Sequence, residues 1–159
     1  MSILILLRHG QSEWNLQNRF TGWTDVKLTK KGKEEAKNAG VLINESAIRI
    51  DSIYCSILKR AVKTCKICLK ELKIEKNNVN YDWRLNERHY GALQGMNKSE
   101  TAKKFGDKQV LIWRRSFNVS PPELELNDER HPSNQKLFKN IDSKLLPNSE
   151  SLKDTLLRV

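Results

Sequence analysis

Five apolar residues, Ile3-Leu4-Ile5-Leu6-Leu7, run without a polar break, and the chain then switches at once to Arg8-His9-Gly10-Gln11-Ser12-Glu13-Trp14-Asn15. An uninterrupted run of this length predicts a strand buried on both faces, as in a parallel sheet covered by helices. Gly10 lets the backbone leave that strand sharply. Arg8 and His9 then stand at its carboxyl end, where open α/β sheets take their ligands. An arginine beside a histidine, followed by small polar residues, can hold an anion such as phosphate. His9 there is either a hydrogen-bonded histidine at a strand end or a nucleophile toward a phosphoryl group.

Beyond this point the patterning alternates. Gln11 to Asp25 reads as an irregular, partly helical loop in which Ser12, Asn15, Thr21 and the Gly22 backbone can donate to phosphate or carboxylate oxygens. Trp14, Phe20 and Trp23 are expected to pack this loop onto the body. Thr29 suits the N-cap of a helix reaching about Asn44, with Ala36, Ala39, Leu42 and Ile43 as its apolar positions and Gly32 and Gly40 permitting close approach. Residues 50–56 read as a second strand. Leu58, Ala61, Val62, Cys65, Cys68, Leu69 and Leu72 form the apolar stripe of a helix from about Ile57 to Lys73. Arg60 falls off that stripe near the helix amino end, where it is either a ligand clamp or an ordinary solvated arginine.

A turn at Asn77 to Asn80 leads into a third strand over 79–85, and Asn86-Glu87-Arg88-His89-Tyr90-Gly91 follows at its end. This strand–helix–strand–helix–strand order implies parallel pairing and an α/β fold. Asn97 with Glu100 resembles a capping box for a short helix to Phe105, and Asp107 to Phe117 reads as another that carries Trp113, Arg114 and Arg115. Four proline or asparagine turn signals punctuate the next thirty or so residues as a loop, before Ser149 or Ser151 caps a last helix. With no internal repeat and no linker, residues 1–159 are expected to form one domain.

Lys and Arg total 29 against 19 Asp and Glu, a net charge of +10. The lysines are scattered along polar helix faces, so the excess is read as attraction for small phosphorylated anions and not as a nucleic-acid surface. Three cysteines are few and odd in number, which argues for a reducing compartment and against a disulfide framework. Cys65-Lys-Ile-Cys68 falls inside the helical pattern without a second ligand pair, so it reads as packing and not as zinc. No basic region precedes the apolar run and nothing approaches a spanning length, so a cytoplasmic location without membrane contact is expected.

Moving a phosphoryl group through a histidine needs a nucleophilic imidazole, cations for the phosphate, a proton carrier and stabilisation of the transferring group. His9 serves if its other ring nitrogen is fixed by a backbone carbonyl. Arg8 and Arg60 supply forked donors, so no metal is required. Glu87 is the best placed proton carrier; its alternative is a helix-cap or ion-pair glutamate. Lys98, Arg114 and Arg115 could grip the carboxylate and second phosphate of a small acid, and adjacent arginines reach different sides, so one of them is expected to be exposed.

The segments RHGQSEWN, RFTGWTDVKLTKKG, LKRA, RLNERHYGALQGMNKSETAKKFG, WRRSF and SPPEL together resemble, in order and spacing, the cofactor-dependent phosphoglycerate mutases of the histidine phosphatase superfamily. The resemblance implies a three-layer α/β fold with a mostly parallel central sheet flanked by helices. It implies that 2,3-bisphosphoglycerate phosphorylates His9, that Glu87 gives and takes the proton, and that Arg8 and Arg60 bind phosphate. Gly10, Gln11, Ser12, Glu13, Trp14, Asn15, Thr21 and Gly22 would line the site, with Arg88, His89, Tyr90, Lys98, Arg114 and Arg115 holding the phosphoglycerate. The implied reaction interconverts 3-phosphoglycerate and 2-phosphoglycerate in glycolysis or gluconeogenesis, with a homodimer or homotetramer as the family assembly. Hydrolysis of small phosphate esters from the same His9, and an inactive form that only binds anions, are the alternatives. The family also carries a second catalytic histidine in an Ala-His-Gly-Asn-Ser setting on a later strand. His9, His89 and His131 are the histidines here, so the fold is expected to be incomplete at its carboxyl end, with the first strand lacking one neighbour.

Overall fold

The computed structural model describes residues 2–75 and 78–159, so the start of the turn expected at Asn77 to Asn80 lies outside the described residues. It is an α/β fold with a small parallel sheet flanked by helices. The helices are α1 (Glu13–Leu16), α2 (Lys30–Glu45), α3 (Lys59–Glu71), α4 (Lys98–Phe105), α5 (Asp107–Arg115) and α6 (Leu152–Arg158). Strands β1 (Ile53–Cys55) and β2 (Val79–Tyr81) pair in parallel, with Tyr54 opposite Asn80. The chain divides into two compact units, one of residues 1–13 and 25–85, the other of residues 14–24 and 86–159.

In the first unit, Thr29 caps α2 as expected, its hydroxyl accepting from Gly32 N. The buried face of α2 is Gly32, Ala36 and Gly40, whereas Leu42 lies on the exposed side, contrary to its place in the apolar pattern. Small residues dominate that face because α3 comes very close: a Cβ on Gly40 would stand 2.9 Å from Cys68 Cα. The Cys68 thiol bridges the same gap, donating to Ala36 O at 3.0 Å. Both strands are shorter than the sequence suggests. After β2 the chain turns at Asp82, whose amide donates to Cys55 O at 2.9 Å while its carboxylate accepts from Arg84 N at 2.9 Å. That carboxylate holds Trp83–Leu85 in a 3₁₀ turn and ends the strand.

The largest departure is at the start of the chain. Residues 3–7 form no strand among the described residues, and Leu4 and Leu6 are 80% and 85% exposed. A strand exists only with a neighbour to take its backbone donors and acceptors, and β1 and β2 pair with each other.

In the second unit, Asn97 caps α4 by accepting from Ser99 N and Glu100 N, and Ser151 caps α6 in a reciprocal box with Asp154. Phe20, Leu93 and Val110 form a buried cluster joined by Tyr90, Met96, Ala102 and Trp113. Trp23 stacks on Phe138 with ring centroids 5.0 Å apart. Phe138, Leu124 and Leu146 are buried, so the long turn-rich stretch after α5 supplies core, not only a surface loop.

The Gly32 position decides between two opposed effects. On an open helix surface Gly→Ala stabilises by about 0.5–1 kcal/mol. Here an added Cβ would overlap Gln11 O and sit 2.8 Å from Gln11 N, backbone that cannot swing away. We expect Gly32→Ala to destabilise by roughly 1–3 kcal/mol in urea unfolding; a stabilised variant would show that residues 10 and 11 yield freely.

Candidate active site

His9 is half-buried, and its Nδ1 stands 2.7 Å from Gly10 O. A carbonyl oxygen only accepts, so Nδ1 carries the proton and Nε2 presents its lone pair. Arg60 Nε donates to that Nε2 at 3.2 Å. Arg60 is 1% exposed, on the buried face of α3 with Thr64, Cys68 and Leu69, so of the two readings of its place off the apolar stripe the solvated arginine is excluded. Thr64, one turn on, explains the placement: its hydroxyl donates to Arg60 O at 2.8 Å and accepts from Gly10 N at 3.3 Å.

The residues after His9 are tied down as firmly. Gln11 N donates to Glu35 Oε2 at 2.7 Å, Gln11 O accepts from Thr29 N at 3.0 Å, and Ser12, fully buried, bridges to Leu28. Arg8 and the Glu13 side chain are exposed. In this unit the chain thus assembles an imidazole of defined tautomer, a buried guanidinium on its unprotonated nitrogen and an exposed second arginine. That set can accept and neutralise a phosphoryl group.

The other sequence-predicted residues belong to the second unit. Trp14 packs under the Arg19 guanidinium at 4.2 Å, and Asn15 O accepts from Asn18 N. Thr21 is buried, and Gly22 has φ +54°, with Gln94 Oε1 where a Cβ would go. Glu87 is exposed between buried neighbours Asn86 and Arg88. Arg88, 6% exposed, lies over the Tyr90 ring at 4.8 Å and donates from Nη2 to Arg114 O at 2.9 Å. Its Nη1 makes no hydrogen bond to any described residue. Lys98 and Arg114 line an open cavity of about 640 Å³ with Asn18, Ser99, Lys103 and Asp107. Arg115 is the exposed member of the arginine pair, as expected.

His89 is fully buried edge-on to Trp23, and Gly91 N donates to its Nδ1 at 3.0 Å. Burial first, then the nearby His131, Arg158 and Arg130, push its pKa down to about 3. Its imidazole is therefore a neutral internal brace. Sequence reasoning missed Thr64, Gln94, Glu150 and Arg158. Thr64 had a legible signal, a second polar residue one helical turn from Arg60; the other three had none.

The sequence profile described as Histidine phosphatase superfamily (branch 1) matches residues 4–154. The chain belongs to that superfamily. Among solved structures, the native mycobacterial glucosyl-3-phosphoglycerate phosphatase is similar at TM-score 0.66 and 22% identity, covering 94% of this chain and 56% of its own. The same mycobacterial enzyme with VO3 gives 0.63 and 26% over 71% of this chain and 51% of its own. An Escherichia coli K-12 protein named as a candidate alpha-ribazole-5′-P phosphatase gives 0.64 and 20%, covering 96% and 60%. This superfamily member spans little more than half the length of the solved relatives it matches. None of the helices among its described residues is long and apolar enough to cross a membrane.

The buried His89 makes stability depend on pH with a definite sign. Its folded pKa lies below the unfolded value of about 6.5, so between those values the unfolded chain binds the extra proton. Stability is full above pH 6.5 and falls by up to roughly 1.4 kcal/mol per pH unit on acidification. Urea midpoints at pH 7.5 and pH 5 should differ by about 2 kcal/mol in free energy, and His89→Gln should flatten that slope. An unchanged slope would assign the titration elsewhere.

Proposed function

We propose that this protein takes the phosphoryl group of a small phosphate monoester onto His9 and passes it to water. The observation that carries the reading is the His9–Arg60 pair, an imidazole with its Nδ1 proton on Gly10 O and its Nε2 facing a buried guanidinium. As substrate enters, phosphate oxygens draw the Arg60 and Arg8 donors and free the Nε2 lone pair. The Nε2–P bond forms as the ester P–O bond breaks, and the leaving oxygen takes its proton by way of Glu87. The Glu87 carboxylate then takes a proton from the water that attacks phosphorus, which returns His9 to its starting state.

The substrate class is a phosphorylated carboxylic acid. The similar mycobacterial enzyme is named as a glucosyl-3-phosphoglycerate phosphatase, and the ERHYGALQG and WRRSF motifs resemble enzymes of phosphoglycerates. A carboxylate beside the phosphate needs further cations, and Arg88, Lys98 and Arg114 offer them in the second unit. The free Nη1 of the buried Arg88 supports that role.

A second reading, interconversion of 3-phosphoglycerate and 2-phosphoglycerate with 2,3-bisphosphoglycerate as phosphoryl donor, is favoured by the length and order of the segment from Arg84 to Gly106. Incubation with 3-phosphoglycerate separates the two: inorganic phosphate means hydrolysis, and isomerised product means mutase.

Labelled 2,3-bisphosphoglycerate or 3-phosphoglycerate should leave an acid-labile phosphohistidine that His9→Ala abolishes; label on His89 or His131 would refute the assignment. Glu87→Gln should slow turnover of 3-phosphoglycerate by ~10²–10⁴-fold with little change in binding. Near-normal turnover would reduce Glu87 to a surface carboxylate.

A further inference from the structure

Residues 86–89 have neither helical nor strand structure, yet their backbone is held from both sides of Glu87. Arg158 Nη2 donates to Asn86 O at 3.2 Å, and Trp23 Nε1 donates to Glu87 O at 2.6 Å. His89 N donates to Glu150 Oε2 at 2.8 Å, and Glu150 N donates back to His89 O at 3.0 Å. Glu150 and Arg158 are themselves a two-point ion pair, with Arg158 Nε 2.5 Å from Glu150 Oε1 and Nη2 2.9 Å from Oε2. The side chains are 3% and 8% exposed. The Arg158 guanidinium also covers the Trp23 ring at 5.3 Å, so Trp23 is itself braced by Arg158.

A buried ion pair is a poor device for stability alone, because apolar residues of similar volume often serve as well or better. What they cannot do is accept one peptide N–H and donate to a peptide oxygen three residues earlier. Charge-assisted bonds of that kind are short and directional, and they fix peptide planes. Ser151 and Asp154 cap α6 so that Arg158, two turns on, comes back to Glu150.

We propose that Glu150 and Arg158 are positioning residues for Glu87, fixing the peptide planes around it so that its carboxyl group meets the leaving oxygen in one orientation. This rests on Glu87 being the proton carrier. Both side chains are buried, so they act on Glu87 through its neighbouring backbone. Misplacing a reacting group by about 1 Å can cost ~10²-fold in rate, so the pair governs turnover while leaving binding to other residues.

The test compares two esters on the full chain. The alkoxide leaving from 3-phosphoglycerate must be protonated as it departs, whereas the phenolate leaving from p-nitrophenyl phosphate need not be. In a single turnover, before water attacks, Glu150→Gln is expected to lower the rate at which 3-phosphoglycerate phosphorylates His9 by ~10–10²-fold with its half-saturating concentration nearly constant, and to leave the rate with p-nitrophenyl phosphate within about threefold. Arg158→Lys, which keeps the charge but not the two-point geometry, should show the same selectivity with a smaller loss. The double variant Glu150→Met with Arg158→Leu should keep its melting temperature and still show the selective loss.

Equal losses on both esters, no loss on 3-phosphoglycerate, or full recovery of rate in the apolar double variant would each overturn the proposal. Glu87→Gln is the control. If it shows the leaving-group selectivity and the pair variants do not, only the positioning role falls. If Glu87→Gln lacks that selectivity, or the unaltered protein turns over neither ester, the proton-carrier reading falls and the positioning role with it.

Discussion

The hydrogen bond between His9 Nδ1 and the Gly10 carbonyl is the interaction on which the chemistry of the first unit depends. It settles which imidazole nitrogen holds the proton, and the Arg60 contact makes sense only in that tautomer, since a guanidinium N–H needs a lone pair to meet. Beside it, the backbones of Gly10 and Gly32 approach more closely than any side chain would allow. Thr64 closes the arrangement by bonding both Gly10 N and Arg60 O. One helix turn thus orients the strand-end loop and the buried cation together.

Each unit buries charge, and each uses it to hold backbone or to meet a polar ring. Removing an arginine from water is costly unless its donors are matched. Arg60 meets the His9 ring, Arg88 an Arg114 carbonyl and the Tyr90 face, and Arg158 the Glu150 carboxylate and the Asn86 carbonyl. Arg130 is anchored likewise, to Asp128 and to the Gln94 carbonyl, and it holds the Asp128 carboxyl down at about 2. These cations do local structural work in segments that have no sheet ladder to order them, such as 86–89 and the stretch after α5.

Much of this was legible in the sequence. The 3.6-residue period located α2 and α3, Thr29 and Asn97 marked two helix starts, and Ser151 was one of the two caps offered for the last helix, because those signals are local. The RHGQSEWN string and its companions pointed to the superfamily whose profile matches residues 4–154. Less legible was anything that rests on partners distant in the chain. The pattern left Arg60 open between ligand clamp and solvated arginine, because its place depends on His9, 51 positions away. Glu150 and Arg158 gave no signal, because their meaning lies in the backbone at 86–89.

What the sequence by itself determined is the local vocabulary: where helices begin, which residues are apolar, and a nucleophile-and-arginine string of recognisable chemistry. Only the tertiary structure decided the tautomer of His9, the burial of Arg60 and the brace on the Glu87 segment. It also decided that Ile3 to Leu7 stand exposed without a ladder. The physical reason is common to all four. An apolar run, a guanidinium or a carboxylate states only what environment would stabilise it, and that environment is made by other parts of the chain.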